Sequence, residues 1–200
     1  MKSALIVVDV QNDFCPGGAL PVKNGNKIIP AINRLVELFT KNSLPVFFTR
    51  DWHPPNHCSF KQYGGIWPPH CIQNSWGAEF HSELDVPKTA VIVSKATRHD
   101  KEAYSGFDGT DLASKLGSLD VKRVVVTGLA ADYCVKNTVL DALKLGFEVV
   151  LPRDCTRGVN IRPTDSIEAF IEMKKAGAKT TYSKKLVKEF LGHAASSSSS

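Results

Sequence analysis

The feature that most constrains this chain is a series of short, unbroken Val- and Ile-rich runs, spread evenly along its length with amphipathic segments between them. The runs fall at residues 4–8, 46–49, 90–93, 124–127 and 149–151, with a weaker one at 179–182. They are strand-length and show no polar alternation, which is the pattern of strands covered on both faces. The intervening segments have helical spacing. Ile29, Ile32, Val36 and Phe39 follow a cap at Asn26, and residues 108–116 form a shorter candidate. Val135, Val139, Ala142 and Leu143 follow Asp132 and stop at Gly146, and Ile167, Phe170 and Ile171 follow Thr164 and stop at Gly177. Strands alternating with helices predict an α/β fold, a three-layer α/β/α domain around a mostly parallel six-stranded sheet, spanning residues 1–192. Residues 51–83 break the pattern. They are rich in His, Pro, Gly, Trp and Asn, with a short helix expected near 78–83, and a loop of that length in a compact domain is usually functional. Residues 193–200, ending in serines, read as a disordered tail.

Composition narrows the function classes. With 42% hydrophobic and 22% charged residues, the 200-residue chain has the make-up of one globular domain rather than a disordered one. No apolar run is long enough to span a bilayer, so no membrane role is expected, and the apolar stretch at residues 4–8 is too short for a signal peptide. The 25 basic and 20 acidic residues leave a net charge of +5, but the basic residues are scattered instead of striped, which argues against nucleic acid as a partner. Five cysteines without a C-x-x-C pair read as free thiols in a reducing, cytoplasmic setting.

In an open parallel sheet, ligands bind at the carboxyl ends of the strands. Those ends carry Asp9, Asp51 and Lys95, and the fourth run leads into Gly128-Leu129-Ala130-Ala131-Asp132-Tyr133-Cys134. Asp132 as a helix cap would put Cys134 in the first turn, where unpaired N–H groups and the helix dipole favour a thiolate. Cys134 is therefore either a nucleophile or a packing thiol, and Cys15, Cys58, Cys71 and Cys155 are read as packing. Asp9 is a candidate base for the thiol, and Lys95 a partner for Asp9. Asp51 and His53, at i and i+2, point to one side of an extended segment, and His57 or His70 would complete a site of one carboxylate and two histidines. That donor set suits Zn, Fe or Mn with positions left open for substrate. Phe14, Trp52, Phe60, Trp67 and Tyr104 could wall a pocket for a flat ring.

Together these stretches resemble the nicotinamidases (pyrazinamidases) of the isochorismatase-like cysteine hydrolase superfamily. The resemblance rests on Val8-Asp9-Val10-Gln11-Asn12-Asp13-Phe14-Cys15-Pro16-Gly17-Gly18-Ala19-Leu20, Thr49-Arg50-Asp51-Trp52-His53-Pro54 and Trp67-Pro68-Pro69-His70-Cys71. Gly77-Ala78-Glu79-Phe80, Lys95, Tyr104-Ser105-Gly106-Phe107 and the Gly128 to Val135 turn follow in the family's order. The resemblance implies a catalytic set of Asp9, Lys95 and Cys134 and metal ligands Asp51, His53 and His70, with His57 a further ligand or a neighbour of one. It implies an oxyanion hole from the Ala130 and Cys134 N–H groups, a cis peptide between Ala130 and Ala131, and a ring pocket of Phe14, Trp67 and Tyr104. Two positions depart from the family's usual residues: Ala131, where Thr is common, and Ala96, where Gly often follows the lysine. The implied reaction is hydrolysis of nicotinamide to nicotinate and ammonia through a cysteine thioester, in NAD salvage. One divalent metal, zinc ahead of iron or manganese, would anchor the ring nitrogen. Pyrazinamide is a second expected substrate, and homo-oligomers occur in the superfamily. The alternative is a sister hydrolase acting on another amide or a carbamoyl compound.

Overall fold

The computed structural model describes residues 1–197. Its centre is a parallel sheet of β1 (Ser3–Val8), β2 (Val46–Asp51), β3 (Val91–Lys95), β4 (Arg123–Leu129), β5 (Glu148–Pro152) and β7 (Lys179–Thr181), in the order β3-β2-β1-β4-β5-β7. A two-residue strand, β6 (Thr156–Arg157), pairs with the end of β4. The sheet thus has seven strands where the sequence pattern predicts six, because two residues are too few to leave a periodic signal. Every pairing is parallel.

Side-chain alternation on β1 divides the core. Leu5 and Val7 pack toward α1 (Ile29–Lys41) and α5 (Ser183–Ser197), while Ala4, Ile6 and Val8 pack toward α2 (Leu112–Ser118), α3 (Cys134–Lys144) and α4 (Asp165–Lys175). All five are fully buried, so β1 is the spine of both cores. Burying each of the Leu, Ile and Val side chains among them contributes roughly 1.5–3 kcal/mol. Among the described residues no helix is long and apolar enough to cross a membrane.

Several local expectations change. Asn26 does not cap α1; it lies in a 3-10 turn (Gly25–Ile28) that runs directly into the helix. No helix forms at 78–83; the only helical feature nearby is a 3-10 turn at Trp76–Ala78. Helix α5 takes in residues 193–197, which the sequence pattern assigned to a tail, and residues 198–200 of that tail lie outside the described residues. Leu186 is buried, and Phe190 packs on Phe39 at 5.2 Å between ring centroids, so α5 is anchored to α1 along its first two turns.

The topology sets the site. From β1 the chain runs outward through β2 to β3, then returns to the other side of β1 for β4 and β5. The direction reverses between β1 and β4, which is where open parallel sheets leave a crevice at their carboxyl ends. Asp9 follows β1 at that crevice, Gly128 pairs with Val8 beside it, and Asp51 pairs with Lys95 two strands away. Gly128 has φ +108°, and a Cβ there would lie 2.0 Å from the Val8 carbonyl oxygen. Only glycine lets the strands approach this closely at the crevice.

Candidate active site

The sheet register brings Asp9, Asp51 and Lys95 together in a fully buried cluster. Lys95 Nζ lies 2.9 Å from Asp9 Oδ2 and forms an ion pair with Asp51. Its protons are directed to Asp51, to the Ala103 carbonyl oxygen at 3.2 Å and to Cys134 Sγ at 3.4 Å. The Asp9 Oδ2 oxygen is therefore close to the ammonium but receives no aligned hydrogen bond. Its other oxygen accepts the Thr49 hydroxyl proton at 2.6 Å. Burial raises the Asp9 carboxyl to about 6, opposed by Lys95 and reinforced by the neighbouring charge of Asp51. Asp9 also has φ +48° and Ala96, just after Lys95, φ +50°. Left-handed backbone at non-glycine residues clusters at functional sites.

Cys134 is the first residue of α3, as expected, but Asp132 is not its cap. The Asp132 carboxylate turns away and accepts the Val159 and Asn160 N–H groups at 2.9 and 2.8 Å. Burial pushes the Cys134 thiol well above its usual value, with Lys95 working against the shift. The helix dipole alone thus does not produce a resting thiolate, and the proton needs an acceptor. A carboxylate oxygen of Asp9 lies within 4.8 Å of Sγ. Among the described residues, the Ala130 and Cys134 N–H groups donate to no protein acceptor. The turn contains a cis peptide, but between Leu129 and Ala130, one bond earlier than the resemblance implied. Of the other thiols, Cys15, Cys71 and Cys155 are buried and raised by burial, Cys15 to about 11. Among the described residues, Cys134 is the thiol whose sulfur receives a Lys95 proton, at 3.4 Å.

Asp51, His53 and His70 offer donor atoms that all lie within 4.8 Å of one another. The two imidazoles are oriented by backbone. His53 Nδ1–H donates to the His70 carbonyl at 2.9 Å, and His70 Nδ1–H donates to the Pro68 carbonyl at 2.8 Å. Each ring then presents Nε2 as its lone pair, and in His53 that nitrogen is buried without a partner. Burial lowers His53 to about 4, so the ring is neutral at pH 7. An orphaned buried nitrogen, a second oriented imidazole and a carboxylate fit a divalent cation well. His57 differs. Its Nε2–H donates to the Lys101 carbonyl at 3.1 Å, while Nδ1 accepts from the Ser59 hydroxyl at 2.7 Å and the Ser59 N–H at 3.3 Å. Both nitrogens are used, and the ring stacks beside His53 at 4.2 Å between centroids. His57 is thus set apart from His70 by its engaged nitrogens, although a second group, His53, His57 and Glu102, also brings donor atoms within 4.8 Å of one another.

Aromatic residues close the surroundings. Phe14 packs edge-on against His70 at 5.5 Å. Trp67 Nε1–H donates to the Tyr104 hydroxyl at 3.1 Å, and both rings pack on Tyr133, next to Cys134. Tyr133 carried no periodic signal. Gln11 was also unmarked as a site residue, yet its side chain accepts the Asp51 N–H at 2.8 Å and donates to the Asp51 and Ala78 carbonyls at 2.8 and 2.9 Å. Asp13 does similar work on the other side, accepting the Cys71 N–H at 2.7 Å and the Ala19 N–H at 2.9 Å.

Known proteins resemble this chain along most of its length. The isochorismatase domain model matches residues 3–185. The chain belongs to the isochorismatase family. Within that family it is 41% identical over 196 residues to the nicotinamidase of Escherichia coli K12, covering 88% of this chain and 92% of that one. Pyrazinamidase of Pyrococcus horikoshii, solved in complex with zinc, superposes with a TM-score of 0.87 at 54% identity, covering 91% and 99% of the two chains. PnC1 from L. infantum, solved with nicotinate, superposes with a TM-score of 0.86 at 38% identity, covering 92% and 93%.

Proposed function

We propose that this isochorismatase-family protein is a nicotinamidase, hydrolysing nicotinamide to nicotinate and ammonia in NAD salvage, with pyrazinamide as a second substrate. The observation that carries the chemistry is the contact set at the strand ends: Lys95 Nζ 2.9 Å from Asp9 and 3.4 Å from Cys134 Sγ. A thiol, a raised carboxylate to take its proton and an ammonium to hold the charge meet there.

Asp9 Oδ2, the oxygen without an aligned donor, accepts the Cys134 proton. The thiolate attacks the carboxamide carbon, and the oxyanion that forms is held by the Ala130 and Cys134 N–H groups. Asp9 returns the proton to the departing ammonia, leaving a thioester on Cys134. A water molecule then adds to the thioester carbonyl with Asp9 as base, the S–C bond breaks, and nicotinate leaves as the thiol regains its proton. Lys95 keeps Asp9 and Asp51 in one place and stabilises negative charge throughout. Asp51, His53 and His70 would hold one divalent metal, zinc ahead of iron or manganese. Bound there, it supplies a Lewis-acid anchor for a ring nitrogen. Phe14 beside His70, and Trp67 and Tyr104 packed on Tyr133, supply flat apolar walls for the ring. Five free thiols suit a cytoplasmic enzyme.

The test is ammonia release from nicotinamide by reduced protein before chelation, after chelation and after metal add-back. Activity lost on chelation and restored by a divalent metal is the expected result. No release from the fully metallated, reduced protein overturns the reading.

A further inference from the structure

A second cavity borders the oxyanion turn and takes no part in the chemistry above. It has a volume of about 590 Å³ and reaches from Lys23 to Tyr182 along the segment that contains β6. That is the size of a small-molecule pocket. Three cations line it: Lys23, Arg153 and Arg157. Its only lining carboxylate is already engaged, because Asp154 accepts the Ser183 N–H and hydroxyl proton at 2.8 and 2.5 Å. Arg157 spends one N–H on the Thr156 carbonyl at 2.7 Å, leaving the rest of its fork unpaired among the described residues. The Thr156 hydroxyl in the same wall is buried without a hydrogen-bond partner. The apolar part of the wall comes from Phe170 and Tyr182. Arg153 lies over the Phe170 ring at 5.1 Å, so guanidinium and aromatic surface are presented together.

We infer that this cavity binds a phosphate group carried on a small molecule with a flat ring, of the mononucleotide type. A guanidinium fork matches phosphate oxygens bidentately, two arginines and a lysine exceed the one satisfied carboxylate, and Tyr182 gives the ring a face to stack on. Occupancy is transmitted to the turn, since the two share a hydrogen-bonded wall. Ala131 N–H donates to the Arg157 carbonyl at 2.8 Å, and Asp132 accepts the Val159 and Asn160 N–H groups.

The experiment titrates the metallated protein, without nicotinamide, with inorganic phosphate, pyrophosphate and AMP, read by calorimetry and by amide NMR shifts. Saturable binding is expected, with AMP about tenfold or more tighter than inorganic phosphate, and with shifts at Ala131, Val159 and Asn160. The double variant Arg153→Gln/Arg157→Gln, and separately Lys23→Gln, should each weaken binding while leaving the thermal midpoint unchanged. A control that removes the same charge elsewhere, Lys174→Gln/Lys175→Gln, should bind as the parent does. No saturable binding of any of the three anions overturns the proposal, as does equal weakening by the control pair, which would make net charge the cause. Equal affinity for phosphate and AMP overturns the ring component. Because no turnover is measured, failure here leaves the amidase reading intact, and failure of that reading leaves this one standing.

Discussion

Asp9, Asp51, Lys95 and Cys134 stand at the ends of regular elements, whereas His53, His57 and His70 ride on a segment with almost no regular structure. The first group is placed by sheet register: Asp51 pairs with Lys95, and Asp9 follows a strand locked between two neighbours. Buried charges packed this closely are tolerable only because each is paired. The second group has no ladder to place it. Its imidazoles are aimed by backbone carbonyls, and its loop is fixed by isolated bridges such as His53 with Ile72 and by the Gln11 and Asp13 side chains. One half of the site is therefore set by the fold, and the other by a few polar contacts that a single substitution can remove.

That contrast can be broken most sharply at the strand-borne half. Cys134→Ala should cut ammonia release by about ten-thousandfold or more, while metal content, measured by elemental analysis, stays at the parent level. Ammonia release near the parent rate would refute the nucleophile. Lys95→Met leaves two buried carboxylates without their cation. Urea unfolding should show a loss of about 3–5 kcal/mol, and a loss below about 1 kcal/mol would mean that the cluster relaxes by taking up protons.

At the loop-borne half the effects should be smaller and of another kind. Gln11→Ala removes the three hydrogen bonds that hold Asp51 and Ala78, and metal affinity, read against a competing chelator, should fall by about 10–100-fold. Unchanged affinity would show that the strand register alone suffices to hold Asp51. The mildest case sharpens the division within the loop. His57→Ala should lower metal affinity by less than about tenfold, whereas His53→Ala should abolish stoichiometric binding. Equal losses in the two variants would make His57 a ligand after all.

The same division explains what could be read in advance. Register-borne residues advertise themselves, because a polar group closing an apolar run, such as Asp9 after Leu5-Ile6-Val7-Val8 or Lys95 after Val93, is visible in one dimension. Cys134 was visible through its place after β4, although its helix is capped differently from the expectation, since Asp132 instead serves the 159–160 backbone. What sets His57 apart from His70 lies beyond the pattern of residues, because it depends on which ring nitrogen meets a carbonyl forty-four residues away in sequence. Gln11 and Tyr133 were missed for the same reason. Their contacts are long-range and leave no periodic trace. Helix α5 went unmarked because its polar, lysine-rich start and serine-rich end blur an apolar face of Leu186, Val187 and Phe190.

The five residues from Asp9 to Asp13 serve both halves at once. Asp9 meets Lys95 and the thiol, Gln11 grips the backbone of Asp51, and Asp13 holds the backbone next to His70. A backbone shift in this stretch would disturb the Asp9–Lys95 pair and the backbone beside Asp51 and His70 together. Loss-of-function changes here will look alike in a turnover assay whichever half they damage. Sorting them requires two separate readouts, the stoichiometry of bound metal and the reactivity of the thiol.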